Sequence, residues 1–150
     1  MLRAKDIMTR DVITVKPHDT IEDLARTLTE HRISGAPVVD DRGDLVGIVT
    51  EHDLIVREKR LHIPTVMRLF DAYIMLESPG RMEEEVRKMA AATVKDISVK
   101  EVVTVTEDTP VEEVATIMTE KNMHLIPVVE GRKLKGIIGK MDMIKGMGRE

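Results

Sequence analysis

The chain of 150 residues predicts an α/β fold made of two copies of one unit, joined by a helical insert. The first observation behind this is a duplication. Lys5 to Val39 align with Lys95 to Val129 at a constant offset of 90, without a gap. Lys5, Asp6, Ile7, Val12, Thr14, Val15, Glu22, Ala25, Thr29, Glu30, Pro37, Val38 and Val39 all recur, 13 of 35 positions. Unrelated stretches of average composition would share roughly two or three. The second observation is that the match resumes after a one-residue deletion. Leu45, Gly47, Ile48, Asp53 and Ile55 return as Leu134, Gly136, Ile137, Asp142 and Ile144. The third is that each copy carries the same order of patterns: strand, helix, strand, strand, helix. The expected boundaries are 1–56 for the first repeat, 57–92 for the insert and 93–150 for the second repeat.

Each copy opens on Asp6-Ile7-Met8 or its counterpart, followed by the strand-like run Val12-Ile13-Thr14-Val15. Asp19 stands three residues before Glu22, and Thr109 three before Glu112, the spacing of a capping box. Pro110 then falls at the first helical position, where its missing N–H is harmless. Ile21, Leu24, Ala25 and Leu28 follow the i, i+3, i+4, i+7 spacing of one apolar helix face, and Val111, Val114, Ala115 and Met118 repeat it. Ala36-Pro37-Val38-Val39 reads as a strand with its proline near the start. The turn Asp40-Asp41-Arg42-Gly43-Asp44 leads to Leu45-Val46-Gly47-Ile48-Val49, a buried strand running into a helix at Thr50. Gly47 inside that strand predicts a close approach to its backbone. Leu134 to Asp142 repeat this junction, and two such junctions can enclose a cleft. Gly146-Met147-Gly148 predicts a frayed end.

The insert carries an apolar stretch from Val66 to Leu76, a break at Ser78-Pro79-Gly80 and a helix over 81–92. Glu83, Glu84 and Glu85 stand in that helix's first turn, as its dipole favours. The expectation is an ordered helical hairpin packing Phe70, Tyr73 and Met75 against the repeats or a second copy.

Composition narrows the function. Apolar residues make up 42%, enough for a packed interior. Phe70 and Tyr73 are the only aromatic residues of the Phe, Tyr and Trp class, and the net charge is −4. Neither favours a nucleic-acid partner. With no Cys there is no disulfide framework and no thiolate chemistry. No apolar run approaches the ~18 residues that span a bilayer, and no secretory h-region opens the chain. A soluble cytoplasmic protein without a membrane contact is expected. The five His show no metal-ligand spacing. The phosphate-binding P-loop, the dinucleotide fingerprint and the nucleophile elbow are all absent. No enzyme, no metal and no required cofactor are expected.

At Asp6-Ile7-Met8, Val12-Ile13-Thr14-Val15, Ser34-Gly35-Ala36-Pro37-Val38-Val39 and Gly47-x-x-Thr50-x-x-Asp53, each with its second copy, the chain resembles the CBS (cystathionine beta-synthase) domain family. Each motif is loose alone; their order, twice over, is specific. The resemblance covers about residues 1–56 and 93–147. It implies a Bateman module, two repeats about a pseudo-twofold axis, with clefts for adenosyl ligands and often a disc-shaped homodimer. In that family the Asp of the junction accepts ribose hydroxyls, while the Thr hydroxyl and the helix start face phosphate. A carboxylate and free helix N–H groups suit those tasks. Thr50 and Asp53 would equally cap their own helix. The second copy has Asp142, but Gly139 in place of Thr50. His124 stands where Ser34 does in the first copy, a position from which a basic residue reaches phosphate in nucleotide-sensing members; a plain surface histidine is the other reading. The following position, often Arg in those members, is Gly35 and Leu125, which weighs against tight polyphosphate binding. The resemblance makes Thr14, Val15, Ala36, Pro37 and Val38, with Thr104, Ile126, Pro127 and Val128, the walls of apolar adenine slots. The same residues suit a core.

Two functions follow. One is a regulatory module that binds AMP, ADP, ATP or S-adenosylmethionine and passes its occupancy to a protein partner. The other is a dimeric interaction module with vestigial clefts.

Overall fold

The computed structural model describes residues 1–57 and 92–149. The expected hairpin over 57–92, with Phe70, Tyr73 and Met75, lies outside the described residues apart from its two end positions.

The first half contains α1 (Ala4–Ile7), α2 (Ile21–His31), β1 (Gly35–Val39) and β2 (Leu45–Thr50), and residues 51–57 are helical. The second half contains α3 (Val94–Ile97), α4 (Val111–Glu120), β3 (Leu125–Glu130), β4 (Lys133–Gly139) and α5 (Lys140–Met147). Each strand pair is an antiparallel hairpin, and both share one irregularity. The register shifts between Val38 and Val39 in the first and between Val128 and Val129 in the second, which leaves Val46 and Lys135 as the extra residues. The turn before β2 is tied by Asp40, whose carboxylate accepts the N–H groups of Arg42 and Asp44. Gly43, at φ 83°, supplies the left-handed residue it needs.

Several local expectations shift. The runs Val12–Val15 and Val102–Val105 do not form full strands. Val15 alone bridges Val38 in parallel, and Val105 bridges Val128. The turn in which Asp19 N–H donates to the Lys16 carbonyl follows at once and cuts the extended run short. The cap of α2 lies one residue later than the spacing suggested. Thr20 is the N-cap, its hydroxyl accepting Asp23 N–H at 3.0 Å while the Asp23 carboxylate accepts Thr20 N–H. Hydrogen bonding of the Asp23 carboxylate to Thr20, by the hydroxyl first and the backbone N–H second, with Arg26 nearby, holds it below the ordinary carboxylate range. Asp19 instead accepts from Lys16 N–H. Pro110 is the N-cap of α4 and not its first residue, and the Thr109 hydroxyl accepts from Thr106 N–H.

Pro37 and Pro127 stand in mid-strand, opposite Ile48 and Ile137. A proline is tolerated there because its strand partner bonds elsewhere. Ile48 exchanges both backbone bonds with Val99, at 2.9 Å each, and Ile137 with Thr9, at 2.8 and 2.9 Å. The expected fraying at Gly146-Met147-Gly148 is not seen, since the helix runs through Met147. Gly146 is buried inside α5, and a Cβ there would lie 2.7 Å from Ile7 Cγ2. Its missing side chain lets α5 close on α1.

Two hydrophobic clusters form the interior, and each borrows from the other half of the chain. Val15, Leu24, Leu28, Ala36, Val38 and Val49 pack with Val94, and Ile97 lies against them. Val105, Val114, Ile126, Val128 and Ile138 pack with Ala4, Ile7 and Met8. Backbone bonds repeat the exchange at offset 90. Ala4 N–H donates to Thr109 O and Lys5 N–H to Glu107 O, as Val94 does to Asp19 and Lys95 to Pro17. The short segment that opens each repeat therefore completes the core of the other.

Gly47 and Gly136 admit these segments, as the sequence led one to expect for Gly47. A Cβ at Gly47 would lie 3.1 Å from Val99 O; at Gly136 it would lie 2.7 Å from Met8 Sδ and 3.0 Å from Thr9 O. Gly136→Ala is expected to cost about 1–3 kcal/mol, as overpacking does, with a smaller loss for Gly47→Ala. Calorimetric melting of the two variants checks this, and a Gly136→Ala protein that melts with the wild type would contradict it.

Candidate functional site

The two strand-to-helix junctions meet where the halves of the chain abut. A Cβ on Gly35 would lie 3.2 Å from Leu125 Cδ2, and one on Gly139 would lie 3.6 Å from Leu125 Cδ1. Leu125 thus touches the strand start of the first repeat and the junction of the second. The turns also meet: Leu45 N–H donates to Arg132 O at 2.8 Å, and Lys133 Nζ pairs with Asp44 at 2.9 Å.

Each junction ends on a carboxylate. Asp53 Oδ2 accepts the backbone N–H of Thr50 at 2.8 Å and its hydroxyl at 3.2 Å. Asp142 Oδ2 accepts the N–H of Gly139 at 2.8 Å. Both carboxylates fix the first turn of their helix, and both side chains are half-buried, open on one side to solvent. A carboxylate offers about four acceptor positions, so neither is exhausted by these bonds. A half-buried acceptor at a helix start, beside free helix N–H groups, suits a ligand with hydroxyls and a negative charge.

The remaining residues fall into two groups. Val15, Ala36, Val38, Ile126 and Val128 are buried with their side chains in the two cores, and Pro37 and Pro127, alternating with them along the strands, are buried as well. Thr14 is exposed and Thr104 half-buried, each next to its bridging valine. Successive residues of an extended chain face opposite ways, so the threonines present hydroxyls outward while the valines face in. His124 is exposed and lines a groove of about 440 Å³ with Met118, Asn122, Met123, Lys140 and Met143. It therefore shares a groove with Lys140, the first residue of α5, on the helical side of the second repeat.

Two residues escaped the sequence reading. Lys140 directly follows Gly139 in the duplicated junction, so its position was legible. Thr9 was not: its hydroxyl donates to Asp142 Oδ1 at 3.0 Å across 133 positions of chain. Among the described residues no group of three or more His, Asp or Glu is placed to hold a metal ion, and no helix is long and apolar enough to cross a membrane.

Known proteins share this arrangement. The chain is 28% identical to the protein MJ1426 of Methanocaldococcus jannaschii over 95% of its own length and 89% of that protein. It is 30% identical to inosine-5'-monophosphate dehydrogenase of the same organism over 95% of its length, but spans only 23% of that enzyme. Among solved structures, the CBS domain pair of MJ0100, in complex with 5'-methylthioadenosine and S-adenosyl-L-methionine, superposes with a TM-score of 0.71. It shows 27% identity, with 99% of this chain and 98% of that one covered. CBSX2 of Arabidopsis thaliana, solved in complex with AMP, has the same fold, with a TM-score of 0.78 at 23% identity and the same coverage. The CBS domain family model matches the sequence twice, over residues 4–59 and 94–149. With two matched repeats arranged as in solved CBS pairs, this chain belongs to the CBS domain family.

Proposed function

We propose that this protein is a regulatory module that binds an adenine nucleotide or a related adenosyl ligand between its repeats and signals occupancy to a protein partner. The observation that carries the reading is the pair of half-buried carboxylates, Asp53 and Asp142, each at a helix start where the halves meet. Ribose hydroxyls need acceptors, and a helix start favours the anionic or polar end of such a ligand. The adenosyl compounds held by the MJ0100 pair, at 27% identity, support that ligand class. The buried valines, Ala36, Ile126 and the two prolines make the apolar walls against which a base would lie, with Thr14 and Thr104 at the edge. His124 is the phosphate contact of this reading. This reading gives none of these residues a catalytic role; in the dehydrogenase relative the matched region is 23% of the enzyme.

A thermal-shift panel of AMP, ADP, ATP and S-adenosylmethionine tests the reading. At 100 times its dissociation constant a ligand stabilises by about 2.7 kcal/mol, a rise of several degrees for a chain this size. No shift at millimolar concentrations for any of the four would end it.

The second reading, an interaction module with vestigial clefts, has its support in Gly139, which lacks the hydroxyl of Thr50, and in the Met-lined groove beside α5. Both readings share a homodimer. Ile55, Met141, Ile144 and Met147 are each more than half exposed, at 65, 62, 57 and 72%. Ile55 and Ile144 hold equivalent positions in the two repeats, and a second copy would cover both helices at once. Light scattering at tens of micromolar is expected to give twice the chain mass of 16.9 kDa. A mass near that of one chain would contradict the dimer.

A further inference from the structure

We propose that Thr9 positions the carboxylate of Asp142, doing for the second cleft what Thr50 does for the first, and thereby couples ligand binding there to the N-terminal segment. The inference rests on the adenosyl-binding reading and deepens it. In the first repeat the junction supplies its own hydroxyl, from Thr50 to Asp53 Oδ2 at 3.2 Å. Its counterpart Gly139 has none, and only the Gly139 N–H reaches Asp142 from that position. The missing hydroxyl arrives from the other end of the chain, from Thr9 to Asp142 Oδ1 at 3.0 Å. The substitution is reciprocal, because the residue equivalent to Thr9 in the duplication is Val99, which carries no hydroxyl. Each junction carboxylate therefore receives one threonine hydroxyl, by a different route.

The route matters for mechanism. Thr9 is not free to wander, since it exchanges two backbone bonds with Ile137, at 2.8 and 2.9 Å. Its side chain is aimed by β4, the strand that leads into Asp142. With Gly139 N–H on one oxygen and Thr9 on the other, the Asp142 carboxylate is fixed in rotation. Each of its oxygens keeps a lone pair for one of two neighbouring ribose hydroxyls. The residues just before Thr9, Ile7 and Met8, are buried in the core of the second repeat. Ordering of the N-terminal segment and ordering of the second cleft are thus linked, and linkage acts in both directions.

The test uses the full chain in two backgrounds. Asp53→Asn leaves the second cleft to be read alone, and Asp142→Asn leaves the first. Each is titrated by calorimetry with AMP and with S-adenosylmethionine, with Thr9, Thr9→Val or Thr9→Ser. Thr9→Val is expected to weaken binding about 3- to 10-fold in the Asp53→Asn background, as loss of a partly exposed bond to a carboxylate would. It should leave binding in the Asp142→Asn background unchanged, and Thr9→Ser should restore the loss. Equal weakening in both backgrounds, or none in the first, overturns the proposal. If neither ligand binds the wild type, the adenosyl reading fails by itself. Melting temperatures without ligand then judge the contact: non-additive losses for Thr9→Val and Asp142→Asn support the link, and additive losses overturn it.

Discussion

Asp53→Asn is expected to remove most of the thermal response to an adenosyl ligand while leaving the fold almost unchanged. On the proposed reading the side chain has two tasks that separate on substitution. As a helix cap it accepts the N–H and hydroxyl of Thr50, and an asparagine oxygen accepts such bonds nearly as well, so stability should fall by about 1 kcal/mol or less. As a ligand acceptor it is charged and open to solvent on one side. An asparagine there turns half of its acceptor edge into donors. The loss of a bond to a charged group weakens binding by roughly 1.5–3 kcal/mol, about 10- to 150-fold. At a ligand concentration that shifts the wild type by several degrees, the variant should keep only the small shift that the weaker second cleft supplies, and Asp142→Asn should lose the smaller part of the response. The melting temperatures of the three proteins, with and without nucleotide, decide it. Loss in Asp142→Asn with retention in Asp53→Asn would place the stronger cleft in the other repeat.

The second large effect concerns the exchange of segments. Ile7 is in the first repeat by sequence and in the core of the second by packing, 6% exposed against Met8, Val105, Ile126 and Ile138. Ile7→Ala should therefore cost about 2–4 kcal/mol and lower the melting temperature by roughly 5–15 °C. The loss should be local as well as large. Amide exchange should accelerate in β3 and β4, residues 125–139, more than in β1 and β2, residues 35–50. Val94→Ala should do the reverse, because Val94 is fully buried in the first cluster. Equal acceleration in both hairpins for both variants would show that the two clusters unfold as one unit, and the segment exchange would then carry no local consequence.

What the sequence determined by itself was whatever is written in local pattern and in repetition. The 3.6-residue spacing of Ile21, Leu24, Ala25 and Leu28 fixed a helix and its buried face, since an isolated apolar stripe has only one way to leave water. The duplication fixed the number of units and the correspondence of Asp53 with Asp142, because a repeated pattern folds twice the same way. The junction carboxylates were legible too, as an acid three residues past a strand end caps the helix that follows. One-residue errors at Asp19 and Pro110 belong to this level: neighbouring Asp and Thr compete for the cap, and only the path of the incoming chain chooses between them.

Only the tertiary structure decided which segment completes which core. Ala4, Ile7 and Met8 are apolar wherever they pack, and nothing in their spacing distinguishes their own repeat from the other. The choice is made by Gly47 and Gly136, whose bare backbones admit Val99 and Thr9 to the open edges of β2 and β4. The same long-range pairing let Pro37 and Pro127 stand in mid-strand and drew Gly146 onto Ile7. It also brought the Thr9 hydroxyl to Asp142, where a one-dimensional reading saw only that Gly139 lacked one. Contacts of this kind depend on loop closure over a hundred residues or so and on shape fitting at single glycines, and neither leaves a period in the sequence.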